Sequence, residues 1–161
     1  MIIGLMATII VPNLQQQIPG YQRKAFIAEL NNLLALGWQN ALITQKAHRV
    51  FFDIKKEIIR LEIEEPAAVT TGFKPVPQTY KKTFYEIPPN IEIKDFFLDG
   101  VNEYRPDREV LTFWFFIVPE GMSQEVVINM IDTSGAAPVK IGLVLNPFTV
   151  QLKEYDSFQK P

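Results

Sequence analysis

Met1-Ile2-Ile3-Gly4-Leu5-Met6-Ala7-Thr8-Ile9-Ile10-Val11-Pro12 opens the chain, and no side chain charged at neutral pH precedes Arg23. As a helix, at about 1.5 Å per residue, this run reaches about 18 Å, against about 30 Å of hydrocarbon in a bilayer. Alone it is too short to span. It also lacks the form of a complete secretory signal, because no basic stretch precedes the apolar residues and Pro12-Asn13-Leu14 stands where a small-residue cleavage site belongs. Two readings remain: a buried core helix, or the stub of a longer apolar rod. A helix apolar on every side is stable only in lipid or among equally apolar neighbours.

Composition narrows the range of functions. A chain of 161 residues suits one domain with a real core. Apolar residues at 47%, with 12 phenylalanines, exclude a disordered tail. A net charge of -2 gives no electrostatic footprint for nucleic acid. Cysteine is absent, so no disulfide forms and the redox compartment stays open.

After the Pro19-Gly20 break, Tyr21 to about His48 reads as a helix. Phe26, Ile27, Leu30, Leu33, Leu34, Trp38 and Ala41 fall on one stripe, with Glu29, Asn32, Gln39 and Asn40 opposite. Gly37 sits within the stripe, where a missing side chain lets a sheet approach at a cost of about 1 kcal/mol in helix propensity. We assign Phe26, Leu30, Leu33, Leu34, Gly37 and Trp38 to helix-sheet packing. From Arg49 the period becomes alternating. Val50 to Ile54 and Ile59 to Ile63 make a hairpin with one wet face around Lys55-Lys56-Glu57. Glu65 to Gln78, broken by Pro66, Gly72, Pro75 and Pro77, reads as a long loop. Thr83 to Ile87, Ile91 to Leu98, Val110 to Val118, Val126 to Ile131, Val139 to Leu145 and Phe148 to Leu152 read as strands, with a turn at Asn146-Pro147. Val110 to Val118 is apolar on both faces, which places it at the sheet's centre.

The segment Ile2 to Leu14 resembles the second half of the N-terminal helix of type IV pilins and type II secretion pseudopilins. An isoleucine pair and a glycine precede a small-and-apolar stretch and then a proline, and Gly4 and Pro12 fall on those marks. The family's charged leader, its cleavage glycine, the phenylalanine that becomes the methylated terminus and the following glutamate would lie upstream of Met1, so the chain is expected to begin inside the anchor. The downstream pattern, with a strand ending in Pro119-Glu120-Gly121, is similar to the minor H-type pseudopilins and the related FimT-like minor pilins. Asn146-Pro147 stands where those domains often carry a glycine turn. The major pseudopilin's calcium loop has no counterpart after Gly142.

The resemblance implies an α+β, pilin-like fold: a long kinked N-terminal helix packed on an antiparallel domain of two small sheets. Residues 1–20 would form a partial hydrophobic anchor helix, and 21–161 the globular domain, with its helix at 21–48 and its β-rich part at 49–153. Ile2, Ile3, Gly4, Leu5, Met6, Ala7, Ile9, Ile10, Val11 and Pro12 would pack in the membrane and the filament. Gly4 would admit a neighbouring helix, and Pro12 would remove a backbone donor and bend or melt the rod. The implied function is that of a minor pseudopilin or pilin-like subunit, held in the bacterial inner membrane with its domain in the periplasm. The implied partners are other pilins or pseudopilins, the inner-membrane assembly machinery and a secreted cargo.

No catalytic, metal-binding or cofactor-binding residue is assigned. His48 sits at the expected helix end, where imidazole complements the helix dipole. Ser123, Ser134 and Ser157 lack the glycine frame of a nucleophile elbow. The acids Asp95, Asp99, Glu103, Asp107 and Glu109 fit no calcium-loop spacing and are interleaved with Arg105 and Arg108, so they read as a solvated loop. Lys74, Tyr80, Lys81 and Lys82 form the one local basic-aromatic group. A DNA-contacting minor pilin in DNA uptake is therefore the specific alternative, although so few lysines neutralise few phosphates. The remaining alternatives are a soluble α+β binding domain unrelated to pilins and a hydrolase using the acidic loop.

Overall fold

The computed structural model describes residues 18–66, 71–79 and 81–161. The run Ile2 to Pro12, including Gly4 and the expected kink at Pro12, lies outside the described residues, as does Tyr80. Among the described residues no helix is long and apolar enough to cross a membrane. The described residues are α+β, with one helix, α1 (Tyr21–Thr44), followed by ten strands in two antiparallel sheets.

Helix α1 starts at Gly20, whose φ of 84° turns the chain into the first turn. It stops at Gln45, earlier than the sequence pattern implies. Gln45 takes the left-handed conformation (φ 54°) and its N–H closes on the Ala41 carbonyl. Glycine ordinarily signals such a cap, and its absence hid the end. His48 is therefore not a helix-terminal residue: it opens the first strand and is fully buried.

The first sheet runs in the order β3 (Thr71–Pro75), β2 (Ile58–Pro66), β1 (His48–Asp53), β7 (Thr112–Ile117), with β4 (Phe84–Glu86) also on β2. Strands β1 (His48–Asp53) and β2 (Ile58–Pro66) form the hairpin, registered from His48↔Ile63 to Asp53↔Ile58, with Glu57 in the turn at φ 56°. Alternation sends Val50, Phe52, Ile59 and Leu61 to the core and Arg49, Phe51 and Arg60 outward. The proline-broken stretch is not all loop. Strand β3 (Thr71–Pro75) pairs with the end of β2, because an edge strand tolerates Pro66 and Pro75 at its limits. Strand β4 is short (Phe84–Glu86).

Strands β5 (Ile91–Leu98), β6 (Val101–Asn102), β8 (Val126–Asp132), β9 (Val139–Asn146) and β10 (Gln151–Tyr155) form the second sheet, ordered β10-β9-β8-β5-β6. Its middle strand β8 is buried on both faces, with Val126 to Met130 all buried. Strand β7 (Thr112–Ile117), expected at a centre, instead forms an edge of the first sheet. Its outward Trp114 is 40% exposed. Apolar residues on both faces of β7 reflect an aromatic outer surface rather than a covering layer. The last strand is also displaced from 148–152. Asn146 Oδ1 accepts from the Phe148 and Thr149 N–H groups, and this side-chain turn uses up the residues before Gln151.

The core lies between α1 and the two sheets. Phe26, Leu30, Leu33 and Leu34 of the helix meet Val50, Phe52, Phe115 and Ile117 of the first sheet and Ile128, Met130, Leu143 and Leu145 of the second. Phe96 stacks on Phe113 at 4.8 Å and meets Phe52 edge-on at 5.4 Å, joining the two sheets across the interior.

Candidate functional site

Helix α1 is fixed by specific contacts as well as by burial. A Cβ on Gly37 would lie 2.8 Å from Ile117 Cδ1 and 2.9 Å from Leu61 Cδ1, so the first sheet is packed directly against the helix backbone there. Trp38 lies at the margin of the buried stripe, 37% exposed, and its indole N–H donates to the Gly121 carbonyl at 3.0 Å. Asn31 donates to the Leu152 carbonyl and accepts from the Leu152 N–H, so a helix side chain closes the free edge of β10. At the start of the helix, Arg23 reaches the buried Asp132 at 3.1 Å, with Glu154 at 3.2 Å. Burial pushes the Asp132 carboxyl up, but hydrogen bonds from Ser134 and Asn90 and the Arg23 charge outweigh it. The group is held below its ordinary value of 3.8.

The residues with catalytic chemistry are dispersed. His48 Nδ1 donates to the Lys46 carbonyl at 3.0 Å, and among the described residues its buried Nε2 has no partner. Burial lowers the imidazole below 6.5, against a smaller opposing effect of the Lys46 carbonyl, so the ring is neutral. The Ser123 hydroxyl donates to the Gln124 carbonyl. The acids fall into two separate roles. Asp95 holds Asn102 and Asn129, and Asp99 accepts from Gln124 and the Glu125 N–H in a turn. Among the described residues no group of three or more His, Asp or Glu side chains is placed to hold a metal ion. The lysines are also divided: Lys74 pairs with Glu65 at 2.6 Å, Lys81 contacts Gln39, and Lys82 lies over the Tyr85 ring.

The most distinctive surface is the face of the first sheet turned away from α1, which local sequence pattern alone does not reveal. Glu62, 2% exposed, takes the Nε–H of both Arg49 and Arg60, the latter at 2.7 Å. Each guanidinium then lies over aromatic rings. Arg49 is 4.5 Å from the Phe73 centroid and 5.3 Å from those of Phe51 and Trp114, and Arg60 is 4.5 Å from Phe51. Phe51 and Trp114 are near-parallel, 10° apart, and Phe73 meets Phe116 at 5.5 Å. The signal available in the sequence was the outward phase of Arg49, Phe51, Arg60, Glu62, Trp114 and Phe116. Phe73 could not be added before β3 was known.

No protein-family model matches the chain, and no curated protein matches it in sequence. In structure the chain is similar to the minor pseudopilin EpsH from the Type 2 Secretion System of Vibrio cholerae. The two share 11% identity with a TM-score of 0.57, over 83% of this chain and 95% of that one. The chain therefore has a pilin-like fold.

Proposed function

We propose that the chain is a minor pseudopilin or pilin-like structural subunit whose task is assembly rather than catalysis. The observation that carries this reading is the likeness to EpsH, which extends over 83% of this chain and 95% of that pseudopilin. The apolar run Ile2 to Pro12 supports it from an independent direction, since such a run fits lipid or the packed core of a helical filament. In this reading the run is held in the bacterial inner membrane, and the domain from Tyr21 onward projects into the periplasm. There it meets other pilins or pseudopilins, the assembly machinery and cargo.

The chain has no cysteine, so a substitution such as Ile3→Cys or Met6→Cys supplies a single thiol in the run. Membranes of producing cells, treated with a short bismaleimide, are expected to yield cross-linked products between this chain and pilin-like subunits carrying a cysteine at the matching helix level. Failure of both positions to cross-link, with the chain released from membranes by a salt wash, would overturn the reading.

A further inference from the structure

The molecule closes most of its sheet edges by recognisable means. Asn31 of α1 occupies the edge of β10, and Asn102 accepts from the Phe96 N–H beside β5. Strand β3 ends on Lys74 and Pro75, residues that discourage pairing with another chain. Strand β7 is closed only at one end, where the Phe116 N–H donates to Gln124 Oε1 at 3.0 Å and its carbonyl accepts from the Gln124 N–H. The Phe116 N–H thus points away from β1. Alternation turns the N–H and C=O groups of Thr112 and Trp114 the same way. The bond from the Ile54 N–H to the Leu111 carbonyl fits that phase. Among the described residues these backbone groups have no partner beyond β1.

This open edge adjoins the aromatic–arginine face. Arg49 is held at Nε by Glu62, which orients the guanidinium and leaves its terminal nitrogens without a protein partner among the described residues. A preorganised planar fork beside Trp114 suits a carboxylate, and such Trp and Arg groups dominate protein interfaces. Glu62 offsets one of the two arginine charges, and Asp53 and Glu64 share the outer face. With those two further acids the face carries no net positive charge, so it gives no sustained attraction to a polyanion, and a carboxylate is taken by the Arg49 fork itself.

We propose that β7 accepts an extended segment of another protein as an added strand, with an acidic side chain of that segment on Arg49 and its neighbours over Trp114 and Phe51. Backbone pairing at Thr112 and Trp114 supplies affinity, and the guanidinium selects the acid. The inference does not depend on the filament reading.

The test is a selection of random displayed peptides on the full chain held in detergent, followed by titration of the most enriched peptide. Enriched sequences are expected to combine β-branched or aromatic residues with an Asp or Glu at fixed spacing. Binding is expected to weaken about tenfold with Arg49→Ala, as for loss of a charge-assisted pair, and similarly with Thr112→Pro, which removes an edge donor. Lys153→Ala, on the second sheet, should change nothing, and unchanged thermal unfolding of each variant controls for misfolding. Several outcomes overturn the proposal: no enrichment, binding insensitive to both substitutions, or equal binding of a single-stranded oligonucleotide. Self-association abolished by Thr112→Pro, without peptide binding, would also overturn it by making the occupant a second copy.

Discussion

The outer faces of the two sheets are finished in opposite ways. On the second sheet the chain covers itself. Its C-terminal segment folds back so closely that a Cβ on Gly142 would lie 2.5 Å from the Ser157 carbonyl oxygen and from Gln159 Cγ. The buried Asn129 donates to the Gln159 carbonyl at 2.9 Å and accepts its N–H at 2.8 Å, while Asp95 anchors the same Asn129 amide at 3.0 Å. On the first sheet, aromatic rings and guanidinium groups cover the strands, and among the described residues no segment crosses them. A fully satisfied buried amide network fixes one arrangement, whereas stacked cations at a half-wet surface can exchange their outer contacts. The difference separates a face built for stability from one left available.

Substitutions should reveal that contrast, and the largest effect is expected on the closed face. Asn129→Ala removes three hydrogen bonds from a buried site and leaves the Asp95 and Gln159 groups short of partners, so a loss of about 3 kcal/mol is expected in urea unfolding. Gly142→Ala forces the C-terminal segment away from β9 and should cost about 2 kcal/mol, with new protease sensitivity after Tyr155. Equal stability of this variant and the parent would mean that the segment is only loosely seated.

A second pair of expectations concerns pH. His48 is buried and neutral in the fold, while the unfolded chain takes up a proton near 6.5, so stability is full above that value and declines as pH falls below it. The slope is up to about 1.4 kcal/mol per pH unit, and His48→Gln should flatten it. Asp132 acts at lower pH. Its folded value is depressed, so its contribution persists above about 3.8 and is lost as pH falls further, together with the Arg23 tie to the helix. The smallest effect belongs to the open face: Trp114→Ala should cost no more than about 1 kcal/mol, the size of a partly exposed stacking pair. A cost there as large as that of Asn129→Ala would erase the distinction between the faces.

The legible parts of this fold were those written in local period. The apolar spacing from Phe26 to Ala41 marks α1, and the alternation through Val50 and Leu61 marks the hairpin. What depended on distant partners was misplaced. The run Phe113-Trp114-Phe115-Phe116 resembles a central strand, yet β7 is an edge, because its outer face is completed by Arg49 and by Phe73 from β3. Residues Val126 to Met130 occupy the true doubly buried position only because the C-terminal segment returns over their sheet. Strand β3 was masked by its prolines, which an edge tolerates. His48 lies in β1 rather than at a helix end because the helix stops on a glutamine in a conformation that glycine usually takes.

The proposal that the apolar residues before Tyr21 carry the pilin-like domain is tested most directly by cell fractionation of the full chain beside a chain lacking residues 1–20. The full chain is expected to sediment with inner membranes and to resist salt extraction, while the shortened chain is soluble and unfolds cooperatively. A full chain that fractionates as freely soluble, or a shortened chain that aggregates without cooperative unfolding, would contradict it.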